Sequence, residues 1–345
     1  DVRFLASYGG PLLENKLDAL GIPHSTTLFE ERAGRSRKLR ETIRLALVIR
    51  GLRPSFIIPF ISYNSKMVGL MWKFTRAEYA AWNQRDEGRG VYGTWVERLA
   101  LRNVCDIVSN SCPGRDALVR KCGIRAESVT IVNNGVVIPQ IAAPKAAWRE
   151  KLGLSKDTLL VGMIANISPC KDHPTLLRAW QSVEERFSRK GQRVALLLAG
   201  ESARMGDRIK ILAFDLRLNS VFLLGRVDDI PTLLNDCDLI VHSSVNEGCP
   251  NAVLEAMAMS RAVVGTDIPG MRQALGDACA ERCLAQPHSA SDLAERIVTV
   301  LEDPELRSEL GAANFRRVKE EFSVEKMGFA YLRLIHDSLR RRGVA

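Results

Sequence analysis

Residues 238–270 read DLIVHSSVNEGCPNAVLEAMAMSRAVVGTDIPG, and the fold can be worked out from this stretch. Leu239–His242 is a short apolar run without alternation, the pattern of a parallel strand covered on both faces. A polar loop follows, Pro250 or Asn251 opens a helix running to Met259, and Ala262–Gly265 is a second apolar strand. Glu247 therefore stands at the carboxyl edge of a strand, facing a cleft. Backbone N–H groups of residues 249–252 form the start of the helix, where partial positive charge suits a diphosphate. Glu255 follows Glu247 by eight residues and lies on the first turns of the helix. A carboxylate there can accept hydrogen bonds from vicinal hydroxyls such as those of a ribose.

Strand and helix alternate in both directions from this unit. Strand-like runs are read at 2–6, 55–60, 79–82, 106–110 and 129–132, then at 159–165, 194–199, 221–224, 239–242 and 262–265. Helical spacing fills 113–122, 174–187, 231–235, 251–259 and 291–301. Pro113, Pro174 and Pro231 each stand where a first helical turn begins, behind Ser or Asp residues that can cap it. Alternating βα units predict doubly wound parallel sheets that bind ligands at the strands' carboxyl ends. The stretch VVIPQIAAPKAA at 136–147 breaks the rhythm and reads as a linker. The predicted architecture is thus α/β, with two Rossmann-like domains and a cleft between them.

The chain has 345 residues, 46% hydrophobic and 26% charged, which fits a soluble globular protein of two domains. No apolar run approaches the roughly 20 residues of a spanning helix, and no secretory signal is legible. Eight cysteines without a CxxC pair predict buried free thiols in a reducing cytoplasm rather than a disulfide or zinc framework. Neither GxGxxG nor GxxxxGK[ST] nor GxSxG occurs, which disfavours dinucleotide, P-loop and serine-hydrolase chemistry. Gly9-Gly10 reads as an ordinary βα turn.

The net charge of +9 is unevenly placed: residues 1–140 hold 21 Lys and Arg against 13 Asp and Glu, and the remainder is nearly balanced. Eight of the cations fall between Arg32 and Arg53, opposed only by Glu41, with Leu39, Ile43 and Leu47 at helical spacing. Such a segment is either a solvated helix face or a peripheral contact with an anionic membrane surface. Without interleaved aromatics or an RNA-binding signature, nucleic acid is not expected as a partner.

The 238–270 stretch resembles the E-x7-E signature of the family-four retaining glycosyltransferases, which have the GT-B fold. Three further stretches extend the likeness: VGMIANISPCKDHPTLLRA at 161–179 resembles that family's donor-phosphate loop, IVNNGV at 131–136 its domain-closing turn, and FSVEKMGFAYLRL at 322–334 its returning C-terminal helix. The resemblance implies an acceptor-binding domain over 1–140, a nucleotide-sugar domain over 141–320, and a helix over 321–345 that crosses back to the first. Residues 1–21 resemble the family's second βα unit better than its first, so the first unit is expected to be lacking.

The resemblance also implies residue roles. Glu247 would contact hydroxyls of the transferred sugar, with Gly248, Cys249, Pro250 and Asn251 against sugar and diphosphate through their backbones. Glu255 would hold the ribose, and Lys171 would neutralise the leaving diphosphate. The family's partner arginine is replaced by Asn166, and Arg226 is the candidate substitute. On the acceptor side AAWNQRDEGR at 80–89 offers Asn83 and Arg85, beside Gln84 and Asp86, as polar residues directly after a strand. Where relatives carry a histidine, the nearest match is Asn83.

The expected activity is retaining transfer of a sugar from a nucleotide diphosphate to a hydroxyl, in cell-surface polysaccharide or glycolipid synthesis. The donor is expected to be a UDP-sugar, with a GDP-sugar as alternative, and the acceptor a glycan or lipid-linked sugar. No metal or other cofactor is expected, and the location is cytoplasmic, at most peripheral on the inner face of a membrane. A catalytically silent nucleotide-sugar binder and a GT-B sugar-nucleotide epimerase are the alternatives.

Overall fold

A computed structural model describes residues 2–6, 11–26, 35–139, 147–201 and 205–343. The first half runs β1 (Phe4–Ala6), α1 (Pro11–Ala19), β2 (His24–Thr26), α2 (Arg35–Leu52), β3 (Phe56–Ile57), α3 (Ser62–Thr75), β4 (Tyr79–Gln84), α4 (Trp95–Asn103), β5 (Asp106–Ser109), α5 (Cys112–Cys122) and β6 (Val129–Ile131). Strands β3-β4-β5-β6 form a parallel sheet in sequence order, and β1 and β2 form a separate parallel pair. Gly9-Gly10, the start of the basic segment and residues 140–146 of the expected linker lie outside the described residues.

The second half runs α6 (Ala147–Lys151), β7 (Leu159–Ile164), α7 (His173–Arg189), β8 (Val194–Ala199), α8 (Gly206–Asp215), β9 (Val221–Gly225), α9 (Ile230–Asp236), β10 (Leu239–His242), α10 (Asn251–Ala258), β11 (Val263–Thr266), α11 (Pro269–Leu275), α12 (Asp277–Cys283), β12 (Leu284–Ala285), α13 (Ala290–Glu302), α14 (Pro304–Glu321) and α15 (Val324–Arg341). Its six strands are all parallel in the order β12-β11-β10-β7-β8-β9. The order reverses between β7 and β10, and such a switch point opens a crevice at the strands' carboxyl ends.

Local chemistry fixes the helix starts that the prolines foretell. Ser111, Asp172 and Asp229 accept from the backbone N–H of Gly114, Thr175 and Thr232, capping the helices that contain Pro113, Pro174 and Pro231. The second half encloses one large core in which Leu160, Leu176, Trp180, Leu196, Val241 and Leu254 are all inaccessible to solvent. Covering a parallel sheet on both faces removes nearly every strand side chain from water, which is why these strands read as unbroken apolar runs.

Helix α15 packs against the first half. Ile335 and Leu339 pack beside Tyr79 and Ala81, and Arg341 pairs with Asp106 at 2.9 Å. The expected end of β4 needs correction. Pairing with β5 continues through Asn83↔Val108 and Gln84↔Ser109, so both polar residues belong to the strand and neither is exposed. Gln84 is satisfied inside, with Ser62 donating to its Oε1 and its Nε2 donating to Asp86, whereas Asn83 Nδ2 is buried without a hydrogen-bond partner among the described residues. Strands β2 and β12, three and two residues long, were not expected from the sequence.

Candidate functional site

The loops that follow β7 and β10 meet at the switch point. Val245 N–H donates to the Cys170 carbonyl at 2.9 Å, and Ser243 Oγ donates to that of Lys171 at 2.8 Å, tying one loop to the other. Lys171 ends a single 3-10 turn, and its ammonium pairs with Glu247 Oε1. The same oxygen accepts from Ser244 Oγ at 2.9 Å and meets His242 Nε2 at 3.1 Å. Burial alone would raise the Glu247 pKa. The His242 hydrogen bond and the Lys171 charge outweigh it and bring the carboxyl down to about 2. His242 is buried, which lowers its own pKa and keeps the ring neutral, so Nε2–H is the donor to the carboxylate.

The backbone around Glu247 has little room. A Cβ on Gly270, at the start of α11, would collide with the carbonyls of Glu247 and Gly248, and one on Gly248 would sit 3.0 Å from the backbone of Asp86 and from Ser111 Oγ. Glycine at both positions lets α11, the 247–248 loop and the first half of the protein come together.

Helix α10 starts at Asn251 behind Pro250, which supplies no side-chain cap, so its first N–H groups stay available to a ligand. Asn134, nearly buried after β6, donates through Nδ2 to Asn251 Oδ1 at 2.7 Å and to the Cys249 carbonyl at 3.1 Å, and accepts from Asn110 Nδ2 at 3.2 Å. The Cys249 thiol is buried and pushed up to about 11, which leaves it unreactive at neutral pH. Glu255 is half-buried on α10. Desolvation raises its pKa, and the charge of Lys16 on α1 acts in the opposite sense.

The remaining candidates fall into two further groups. Asn83 is inaccessible, and its Oδ1 accepts from Tyr331 Oη of α15 at 3.0 Å. Arg85 lies over the Phe60 ring and reaches Tyr331 Oη at 3.5 Å. Asn83 and Arg85 therefore connect the end of β4 to the returning helix, and Asn83 stands behind the cleft surface. Asn166 and Arg226 line a separate cavity of about 260 Å³ at the ends of β7, β8 and β9, together with Glu201 and Val227. Arg226 is ion-paired to Glu201 and Asp228, and Asn166 Oδ1 accepts from Glu201 N–H. Lys171 is thus not joined by Arg226 at the Glu247 carboxylate.

A larger cleft of about 800 Å³ runs from Cys170, Asn246 and Glu247 along the face of α5 that carries Pro113, Asp116 and Arg120, with α11 and Arg317 opposite. The Glu87–Arg89 loop also lines it, and Glu87 accepts from Asn246 Nδ2 at 3.1 Å across the two halves. Sequence reasoning missed His242, Ser244, Glu87, Asn134 and Tyr331. Only His242 carried a local signal, as a polar residue closing an apolar strand.

Fold and site together define a GT-B protein with its polar centre at the topological switch point. The profile described as "Glycosyl transferases group 1" matches residues 144–317, half of the chain, and the chain belongs to that family. Among curated relatives it is 36% identical over 119 residues to the N,N'-diacetylbacillosaminyl-diphospho-undecaprenol alpha-1,3-N-acetylgalactosaminyltransferase of Campylobacter jejuni, covering 34% of this chain and 31% of that protein. It is 24% identical over 222 residues to the alpha-D-kanosaminyltransferase of Streptomyces kanamyceticus, covering 63% and 56%. The matches thus span from about a third to about half of these relatives' lengths. The fold is similar to that of HepE from Anabaena, solved in complex with UDP and glucose, with TM-score 0.83, 19% identity and coverage of 97% and 99%. It is also similar to sucrose-phosphate synthase from Thermosynechococcus elongatus, with TM-score 0.75, 18% identity and coverage of 99% and 96%.

Proposed function

We propose that this protein transfers a sugar, with retention, from a UDP-sugar to a hydroxyl of a glycan or lipid-linked acceptor in cell-surface polysaccharide or glycolipid synthesis. The observation that carries the reading is the meeting of Glu247, Lys171 and the uncapped start of α10 at one switch point. A diphosphate at the α10 N-terminus lies among donors fixed in advance, and Lys171 supplies the positive charge that a departing diphosphate requires. On donor binding Lys171 exchanges its Glu247 partner for phosphate oxygen, which frees the carboxylate to accept from sugar hydroxyls. Glu255 accepts from the ribose, and the Asn166–Arg226 cavity lies on the nucleotide's side of the site. Charge neutralisation is assigned to protein groups, so the reaction is proposed to proceed without a metal.

In the retaining geometry the leaving phosphate oxygen takes the acceptor proton on the same face of the sugar, and the protein contributes position and charge. The HepE complex with UDP and glucose, and the undecaprenol-linked substrate named for the Campylobacter relative, support this class of donor and acceptor. The proposed location is the cytoplasmic side of a membrane, with the basic segment toward anionic lipid. No helix among the described residues is long and apolar enough to span a bilayer.

The test is incubation with a panel of UDP-, GDP- and ADP-sugars, following nucleotide release with and without EDTA. Release from one donor that EDTA leaves unchanged, with an α-configured product from an α-donor by NMR, is the expected result. Binding without any turnover would instead favour a silent nucleotide-sugar binder.

A further inference from the structure

Helices α2, α3 and α4 lie side by side on the first half's sheet. Thr42 of α2 meets Met67 of α3, Lys66 of α3 pairs with Glu97 of α4 at 2.8 Å, and Gly69 of α3 abuts Ala100 of α4. Their exposed residues fall into two chemical kinds. Arg40, Arg44, Arg50, Lys73, Arg98 and Arg102 are exposed cations. Ile43, Leu47, Phe74, Trp95 and Leu99 are apolar side chains from 42% to 75% exposed. The described side chains of the three helices include only two carboxylates: Glu41 is half-buried, and Glu97 is buried against Lys66.

We infer that this three-helix face docks on an anionic lipid surface, with Trp95 and Phe74 entering the headgroup layer and the six cations over it. The inference rests on the membrane-facing reading of the basic segment and enlarges it from one helix to three. Cations without facing carboxylates complement anionic headgroups, and amphipathic aromatic rings favour the boundary between headgroup and acyl chain.

The face also adjoins the cleft. Lys121 donates to the carbonyls of Gly88 and Val91 at 2.8 and 2.9 Å, Arg98 reaches the Lys121 carbonyl at 3.5 Å, and Lys121, Gly88 and Arg89 line the cavity that ends at Glu247. Tyr92, 76% exposed, sits on the same turn. A sugar whose lipid anchor stays in the bilayer would therefore enter the cleft beside Tyr92 and Trp95.

Trp95 is the one exposed tryptophan of five: Trp72, Trp82, Trp148 and Trp180 are all at most 9% exposed. The test mixes the full chain with vesicles of phosphatidylcholine alone or with phosphatidylglycerol, and reads sedimentation, emission wavelength and quenching by brominated lipid. Binding to the anionic vesicles only, weakened by salt, with blue-shifted and quenched emission, is expected. Trp95→Phe should keep binding but lose the shift. Trp95→Gln should weaken binding severalfold, and changing Arg40, Arg44 and Arg98 together to Gln should weaken it about 100-fold. Binding with unaltered emission, or unaffected by Trp95→Gln, would overturn the three-helix face and leave α2 alone. Equal binding to neutral vesicles, no binding to either kind, or a shift only with acidic polypeptide or nucleic acid would overturn the lipid assignment. None of these readings depends on the transfer reaction.

Discussion

Lys171 and Glu247 stand 76 positions apart in the chain and form an ion pair across the junction of β7 and β10. One carboxylate oxygen collects the ammonium, a serine hydroxyl and a neutral imidazole, so the resting site holds its cation against its own acid. In the proposed mechanism the donor diphosphate takes Lys171 from this pair, and the first prediction follows from that exchange.

Lys171→Ala should lower kcat/KM by about 100-fold or more, the scale of a lost charge stabiliser. Lys171→Arg should recover part of the loss. Steady-state kinetics with the cognate donor checks both, and a wild-type rate in Lys171→Ala would remove the residue from the chemistry.

Glu247→Gln should leave the affinity for free UDP unchanged and depress transfer, because its proposed contacts are with the sugar. The Glu247 carboxyl titrates near 2, held there by His242 and Lys171. A carboxyl held that low stays ionised through the neutral and mildly acid range, so Glu247 should add no acid limb to kcat/KM above about pH 4. Calorimetric UDP titration and a pH–rate profile separate these outcomes.

Glu255→Ala and Glu255→Gln should both weaken free UDP as well as the donor. Burial raises the Glu255 pKa, so ionisation costs the folded state more than the unfolded one above the ordinary carboxyl value of 4.5. Glu255→Gln should therefore melt higher than the parent at neutral pH, with the gap closing as pH falls below 4.5. A lower melting temperature at pH 7 would show that the carboxylate has a partner it needs.

His173 is 1% exposed, and neither ring nitrogen has a hydrogen-bond partner among the described residues. Burial, with the Lys171 charge nearby, lowers its pKa from 6.5 to about 4. The unfolded chain then binds a proton that the folded chain refuses, so stability is full above pH 6.5 and declines as pH falls toward 4. The effect is on the order of 3 kcal/mol at most. Melting curves from pH 4 to 7 should be flatter for His173→Phe.

Asn134→Ala strands the Asn251 carboxamide and the Cys249 carbonyl, which should cost about 1–3 kcal/mol in urea unfolding. It should also raise KM for the donor more than it lowers kcat. A change in kcat alone would give Asn134 a role in the chemical step.

Much of the fold was legible because its signals are local. Pro174 two residues after Asp172 marks a capped helix, and Leu239–His242 marks a buried strand, without knowledge of any distant partner. Glu247 and Glu255 were singled out by their spacing on a strand, loop and helix, and Lys171 by the resemblance of its stretch to a donor-phosphate loop; the structure puts Lys171 against Glu247. Asn83 and Gln84 were placed wrongly because polar side chains at a strand's end look like a loop until the neighbouring strand is seen. Asn134 and Asn251 are 117 positions apart, and Tyr331 meets Asn83 across 248, so no sequence window contains either pair. Trp95 gave no sign of exposure, since an aromatic residue on an amphipathic helix ordinarily faces inward.

The tight approach of Gly270 to Glu247 and Gly248 has a mechanical corollary. Separating α11 from the 247–248 loop would undo the packing that glycine permits, so that wall of the crevice resists deformation. At the crevice the halves are tied by carboxamides: Asn134 on Cys249 and Asn251, Gln273 on Cys112 and Asn133, and Asn246 on Glu87. Each such bond trades for one to water at a net cost of about 1 kcal/mol. The crevice can thus be unbuttoned at its rim by solvent while its working surfaces keep their shape, which lets bulky reactants enter without loosening the groups that meet them.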